Sequence, residues 1–504
     1  MKDNLFQGFA ATAAGRGESP FLVPESGDPL RYADLDGATA RLANVLVERG
    51  VKPGDRVAAQ VAKSPEAVLL YLASLRAGAV YLPLNTAYTD AELDYFLGDA
   101  EPALVVVDPK RQDGVAALDG ARGRALATLD AAGRGGLTDD AGNADPAFAT
   151  VARDPDDLAA ILYTSGTTGR SKGAMLTHGN LASNAAALVE AWGITADDVL
   201  LHALPIYHVH GLFVALNTAL LAGSAVRFLP KFDAKQALGL LPDCTMMMGV
   251  PTFYTRLLAE DGLTPETCAH MRLFVAGSAP LLAETLERFE RRTGHRVLER
   301  YGMSETGMIC SNPLDGERRP GAVGPPLPGV RVRVRDEGGS IAPPDTAGVL
   351  EVKGPNVFKG YWRMPEKTAQ EFTDDGWFVT GDVARIESDG YVRIVGRSKD
   401  LVISGGYNVY PKEVEDVIDR LDGVDESAVI GVPHPDFGEG VVAVVVPEPG
   451  ATLDEGAIIK ASRRSLAAYK TPKRVLFADA LPRNAMGKVQ KNVLREEHKG
   501  VFAS

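Results

Sequence analysis

The sequence predicts an α/β protein: a large N-terminal domain of doubly wound α/β subdomains plus a β-rich subdomain, then a small α+β C-terminal domain. Three observations carry this expectation. Apolar residues at helical spacing alternate with short β-branched runs through most of the first 300 residues, the mark of parallel α/β layering. From Val330 the texture changes to period-two strands separated by Gly and Pro. At 504 residues the chain is too long for one hydrophobic core and short for three full-sized ones.

The elements follow in order. Leu35 to Arg49 reads as an amphipathic helix through Leu35, Ala38, Leu42, Val45 and Leu46, stopped at Gly50. Arg56 to Val61 is a strand, Pro65 to Arg76 a helix and Leu104 to Val107 a strand. The Ala/Gly-rich stretch from Gly114 to Gly136 reads as a surface excursion. The alternation resumes with strands at Leu158 to Tyr163, Val199 to Leu204, Thr245 to Val250 and Leu273 to Ala276, and helices at Asn180 to Trp192 and Thr252 to Ala259. These make one doubly wound unit or two similar ones. Val330 to Arg335 and Gly348 to Val352 open the β-rich part. After Lys399 come a helix at Pro411 to Arg420, strands at Ser427 to Val432 and Val441 to Val446, and a helix near Ile458 to Ala468. The boundary falls near Arg397 to Asp400, dividing the chain into 1–398 and 399–504.

The formal net charge of −13 argues against nucleic acid or an anionic membrane as a general partner. Cys244, Cys268 and Cys310 are scattered without metal-ligand or disulfide spacing, which suits a reducing cytoplasm. The first 20 residues lack a secretory h-region. Val199 to Val226 has no formal charge, but Pro205, three histidines, Asn217 and two glycines make it a buried strand, loop and helix rather than a span. Residues 460–495 hold ten basic side chains against one acidic, Asp479, so a basic small domain faces an acidic body.

The strand ending at Tyr163 runs into Thr164-Ser-Gly-Thr-Thr-Gly-Arg-Ser-Lys-Gly173. Three glycines, five hydroxyls and one lysine form a loop able to wrap N–H and hydroxyl groups around phosphate oxygens. Gly173 follows Lys172, so the Walker spacing fails. Gly302 to Thr306 brushes the nucleophile-elbow pattern but ends in Thr, so a serine hydrolase is not supported.

This loop resembles that of the adenylate-forming enzymes, a family that includes acyl-CoA synthetases, luciferases and peptide-synthetase adenylation domains. Tyr301-Gly-Met-Ser-Glu-Thr306, Tyr361-Trp362, Thr380-Gly-Asp382, Gly396-Arg-Ser-Lys-Asp400 and Pro482-Arg-Asn-Ala-Met-Gly-Lys488 follow in the family's order, and the similarity spans essentially the whole chain. The resemblance implies ATP, Mg²⁺ and coenzyme A as reactants and cofactor. It places Thr164, Ser165, Gly166, Thr167, Thr168, Gly169 and Lys172 around the phosphates, and Gly277, Ser278, Ala279 and Pro280 with Tyr301, Gly302, Met303 and Ser304 around the adenine. Asp382 clamps the ribose with Arg397 in support, and Thr164 and Glu305 hold the metal. Lys488 neutralises charge between the acid and the α-phosphate. Lys399 is the hinge of a mobile lid whose second pose withdraws Lys488 and brings Ser404, Gly405, Gly406 and Tyr407 to a pantetheine channel.

Within the family, His208, Arg256, Ser278, Met303 and Arg300 fall at the acid pocket. Relatives acting on aryl or fatty acids usually carry an uncharged residue where Arg300 stands. Two arginines in one apolar pocket are costly without an anion, and a second carboxylate on the substrate satisfies them. The resemblance therefore narrows to the malonate-activating acyl-CoA synthetases, with methylmalonate as a second substrate because one methyl discriminates weakly. The competing readings are a synthetase for a small, fatty or aryl monocarboxylic acid, a nucleotide-binding regulator without chemistry, and loading of a carrier thiol. No carrier domain follows Ser504. Acylation of Lys488 by a lysine acyltransferase, reversed by a deacylase, would remove the charge adenylation needs.

Overall fold

In the computed structural model, which describes residues 4–164, 171–279, 281–405, 407–484 and 487–502, the first 300 residues form two sheets rather than one. The six-stranded sheet runs Ala125–Thr128, Leu104–Val107, Arg56–Gln60, Val80–Pro83, Leu158–Thr164, Lys172–Thr177. Its pairs are parallel except the last, which is antiparallel and joins strands on either side of the glycine- and hydroxyl-rich segment. The eight-stranded sheet runs Gly307–Ser311, Leu298–Met303, Leu273–Ala276, Met246–Gly249, Val199–His202, Ala225–Phe228, Pro20–Pro24, Leu30–Arg31. Six strands in its centre are parallel, and an antiparallel strand closes each edge.

Helix Pro65–Arg76 shows why the sheets associate. Ser64 caps it by accepting from the Ala67 N–H at 3.1 Å, and Pro65 occupies the first turn, where no N–H is needed. Beyond the cap every residue from Ala67 to Arg76 is buried, because the helix has no polar face to offer water. Tyr71 reaches toward the second sheet, with its ring 5.8 Å from Phe213 and its hydroxyl donating to Asn217 Oδ1 at 3.1 Å.

The Gly114 to Gly136 stretch is not merely a surface excursion. It contributes edge strand Ala125–Thr128, with Val115, Ala127 and Leu129 buried. Val199 to Val226 is a strand, a π-helix at His210–Leu216, helix Asn217–Ala222 and the start of another strand, packed inside. Among the described residues no helix is long and apolar enough to cross a membrane. The three cysteines are buried and unpaired.

Arg331–Arg335, Gly348–Lys353, Phe378–Ile386 and Val392–Arg397 form an antiparallel four-stranded sheet. Beyond it, Val402–Ser404, Tyr407–Val409, Val424–His434, Gly438–Pro447 and Arg474–Phe477 build the small sheet. The apolar sides of Pro411–Ile418 and Glu455–Ser462 cover one of its faces, and Lys491–His498 covers the other. The basic character of residues 460–495 is largely neutralised locally. Lys470 pairs with Glu413, Arg474 with Glu455, Arg483 with Glu426, Lys491 with Glu415 and Arg495 with Asp400. Lys460, Arg463 and Arg464 stay exposed without a carboxylate partner among the described residues.

Candidate active site

Open α/β sheets commonly bind ligands at the carboxyl ends of their strands, and here that end of strand Leu298–Met303 meets the four-stranded sheet, Tyr301 donating to Asp382. Strand Leu298–Met303 turns through Ser304, Glu305 and Thr306 into Gly307–Ser311. Gly302 is needed for that hairpin, since a Cβ there would lie 2.1 Å from the Gly307 carbonyl oxygen. The turn carries Glu305 inward: its carboxylate is buried, accepts from the Tyr361 hydroxyl at 3.1 Å, and its backbone carbonyl accepts from Phe358 N–H at 2.7 Å. Burial pushes its pKa up, while Tyr361, Lys172 and Arg397 pull it down.

Asp382 leaves Gly381, a left-handed residue, and is likewise buried. It accepts from the Tyr301 hydroxyl and pairs with Arg397 Nε at 2.6 Å. Burial raises the Asp382 pKa and the guanidinium opposes it; the same pair holds Arg397 charged. Lys488, carried by the small domain, joins this cluster. Its ammonium pKa is lowered by burial and by Arg397, against the attraction of Asp382 and Glu305. Lys488 as a whole residue is exposed. A lysine from near the end of the chain therefore stands within electrostatic reach of Asp382 and Glu305 of the large domain.

Arg300, Ser278 and His208 are the residues expected at the acid pocket. Arg300 is 4% exposed, and its Nε and Nη2 have no hydrogen-bond partner. Burial pushes its pKa down to about 9. The guanidinium occupies the space a side chain at Gly277 would need, with Cζ 2.2 Å from where that Cβ would sit. Ser278 has φ +72°, a costly conformation for serine, and its Oγ is 3.2 Å from His210 Nδ1. His208 stands near Lys488 and Arg300; burial and those two charges depress its pKa to about 3, so it is neutral.

Arg256 departs from the expectation of two buried arginines. On Pro251–Leu258 the buried positions are Phe253, Tyr254, Leu257 and Leu258, and the helical phase leaves Arg256 exposed, without a partner among the described residues. The burial argument thus rests on Arg300 alone. Lys172 is held by Glu371 at 3.3 Å, with its ammonium 4.1 Å from the centre of the Tyr361 ring. Thr164 Oγ1 is 3.4 Å from the Lys172 carbonyl oxygen. Ala279, Met303 and Ser304 line the same loops, half-buried.

Ser404 is buried, Gly405 is left-handed with its N–H donating to the Phe437 carbonyl at 2.9 Å, and Tyr407 is exposed, stacked on Tyr469 at 4.8 Å. The hairpin carrying them belongs to the small domain, as does Lys488, while Lys399 lies exposed in the turn that joins the domains. Ser165, Gly166, Thr167, Thr168, Gly169, Pro280 and Gly406 lie outside the described residues. Tyr361, Glu371 and His210 are the additions sequence reasoning missed. Tyr361 stands inside a quoted motif and His210 is one of the three histidines of the Val199 to Val226 run, whereas nothing local marks Glu371.

A magnesium ion suits this site by the chemistry of its donors. Glu305 would supply a buried carboxylate, one oxygen of which accepts from the Tyr361 phenol, and Thr164 would supply a hydroxyl. No group of three or more His, Cys, Asp or Glu that could hold a metal occurs among the described residues.

Comparison with known proteins identifies the family. Residues 9–362 match the family described as AMP-binding enzyme, and residues 413–488 match the AMP-binding enzyme C-terminal domain. The ATP-bound crystal structure of MatB from Rhodopseudomonas palustris is 60% identical, covers 100% of both chains and superposes with a TM-score of 0.96. A mitochondrial malonate–CoA ligase of Mus musculus is 38% identical over 92% of this chain and 86% of its own. A feruloyl-CoA synthase of an Amycolatopsis species is 39% identical over 94% of this chain and 95% of its own.

Proposed function

The chain belongs to the AMP-binding enzyme family, and we propose that it joins malonate to coenzyme A, forming malonyl-CoA, AMP and pyrophosphate through a malonyl-adenylate. A carboxylate offers a thiol no usable leaving group; the adenylate supplies AMP. One malonate carboxylate oxygen attacks the α-phosphorus of ATP while the bond to pyrophosphate breaks. The CoA thiolate then attacks the acyl carbon and AMP departs.

The observation that carries this reading is Arg300, a buried guanidinium with two partnerless nitrogens beside neutral His208. Such a group is unfavourable alone and satisfied by a second carboxylate in bidentate contact. A monocarboxylic acid would leave it unpaired, which disfavours acetate, fatty and aryl acids. Methylmalonate is accepted as well.

The remaining roles belong to the same proposal. Asp382 accepts the ribose hydroxyls with Arg397 behind it, Tyr301 flanks the adenine, and Lys172 leaves Glu371 for the phosphates. Lys488 places its charge between the attacking carboxylate and the α-phosphate, where a preorganised donor contributes about 3 kcal/mol. Magnesium, held by Glu305 and Thr164, would neutralise phosphate charge. For thiol transfer residues 399–504 turn about Lys399 relative to 1–398, withdrawing Lys488 and presenting Ser404 to Tyr407. Acylation of Lys488 would stop the first step only, so an acyltransferase and a deacylase acting there would regulate the enzyme. Mass spectrometry of a reaction with ATP, Mg²⁺, CoA and malonate tests the proposal: malonyl-CoA and AMP are expected in equal amounts, and ADP in place of AMP would overturn it.

A further inference from the structure

The acid pocket has a support that its motifs do not include. Lys63 follows strand Arg56–Gln60 of the six-stranded sheet, and among the described residues no carboxylate pairs with it. Its ammonium crosses to the other sheet. There it contacts His202 Nδ1 at 2.7 Å, donates to the His202 carbonyl at 2.9 Å, and lies 4.3 Å from the centre of the Phe228 ring. A His202 Nδ1 that accepts leaves the proton on Nε2, which is 2.9 Å from the Gly211 carbonyl oxygen and donates to it. His202 itself is 1% exposed, so neither ring nitrogen has water as an alternative partner.

Gly211 is where this relay meets the pocket. It lies within the π-helix His210–Leu216, an irregular helix of the kind that often marks functional sites. A Cβ on Gly211 would come 2.1 Å from the Pro205 carbonyl oxygen, so the loop is pressed against the π-helix at this point. The same loop presents His208, whose carbonyl accepts from the Leu212 N–H at 3.0 Å, and the π-helix presents His210 to Ser278. Lys63 and His202 thus fix the backbone from which both histidines face Arg300. Burial lowers the Lys63 pKa, and burial together with Lys63 lowers that of His202 and keeps its imidazole neutral.

We propose that Lys63 is a positioning residue for recognition of the acid, holding His208 and His210 in register with Arg300 through His202 and Gly211. This rests on the reading of the pocket given above. It places a specificity determinant just after a strand of the six-stranded sheet, with His202 between it and Gly211.

Steady-state kinetics of Lys63→Met and Lys63→Arg test it, with malonate and ATP varied separately. Lys63→Met is expected to raise the malonate KM at least tenfold, with the ATP KM within twofold and kcat at saturating malonate within threefold of the parent. Lys63→Arg, which keeps donors for His202, is expected to recover most of that loss. Unchanged malonate KM, or malonate and ATP KM rising together with a lowered Tm, would overturn the proposal. If Lys63→Met does not fold, His202→Leu carries the same test against His202→Gln, whose amide can still donate to Gly211; equal malonate KM in those two contradicts the relay. Arg300→Met in the same series separates the two claims. No effect from Arg300→Met means the pocket reading fails, whereas an effect from Arg300→Met but none from Lys63→Met means that only this inference fails.

Discussion

Replacing Arg300 by methionine should exchange function for stability. The guanidinium is buried, two of its nitrogens have no partner, and burial has already pulled its pKa to about 9. Breaking a buried ion pair by removing one partner costs about 3–5 kcal/mol. At about 1.36 kcal/mol per decade, malonate kcat/KM should fall roughly 10²- to 10⁴-fold. The ATP KM should stay within twofold. Without malonate the change has the opposite sign. An unsatisfied buried polar group costs about 1–3 kcal/mol, and methionine removes it while filling similar space, so the variant should be more stable by about that much. The pH dependence follows from a base whose folded pKa lies below its unfolded value. The folded state is penalised fully below pH 9, and the penalty fades as pH rises through 9 toward 12.5, so the advantage of the variant shrinks there. Pyrophosphate release measures the first effect and urea unfolding at pH 7 and 10 the second. Unchanged malonate kinetics, or a variant less stable than the parent at pH 7, would refute the reasoning.

Three further outcomes are expected. Lys488→Gln should lower malonyl-adenylate formation at least 10²-fold, in line with a loss of about 3 kcal/mol, yet still pass chemically prepared malonyl-AMP to CoA; pyrophosphate release and thioester formation assayed separately check this. Glu305→Gln should raise the Mg²⁺ concentration needed for half-maximal adenylation while the malonate KM stays near the parent value, as a magnesium titration will show. Glu299 is buried, accepts from the Gly321 N–H at 3.2 Å, and burial pushes its pKa up to about 8. Its stabilising contribution is complete below the ordinary carboxylate range and lost as pH rises through 8, so Glu299→Gln should match the parent near pH 4.5 and exceed it in stability at pH 9. Denaturant midpoints at both values test that.

What was legible in the sequence depended on how local the cause is. Strands Leu104–Val107 and Leu273–Ala276 and helix Pro65–Arg76 have the bounds their residues announce, because each is a buried apolar run with Gly, Ser or Pro at its ends. The division into two sheets is not legible, since strand order is set by pairing between residues far apart in the chain. Strand Ala125–Thr128 escapes because its alanines give little hydrophobic contrast with the glycine-rich turns around it. In the site, motif order identifies Glu305, Asp382, Arg397 and Lys488, and the fold gathers them. Arg256 is exposed because helical phase, not motif membership, decides which way a side chain faces. Glu371 pairs with Lys367 four residues before it, an ordinary helix-surface contact, and its bond to Lys172 spans 199 residues, while Lys63 meets His202 across 139 residues, so no local pattern marks either long-range contact.

The central claim is that Arg300 selects a dicarboxylic acid. Its most direct test is kcat/KM for pyrophosphate release with malonate, methylmalonate, acetate and ferulate under one set of conditions. The account predicts malonate first, methylmalonate within about 1–3 kcal/mol of it, and acetate and ferulate lower by roughly 10² or more. Acetate or ferulate equal to or ahead of malonate would contradict it.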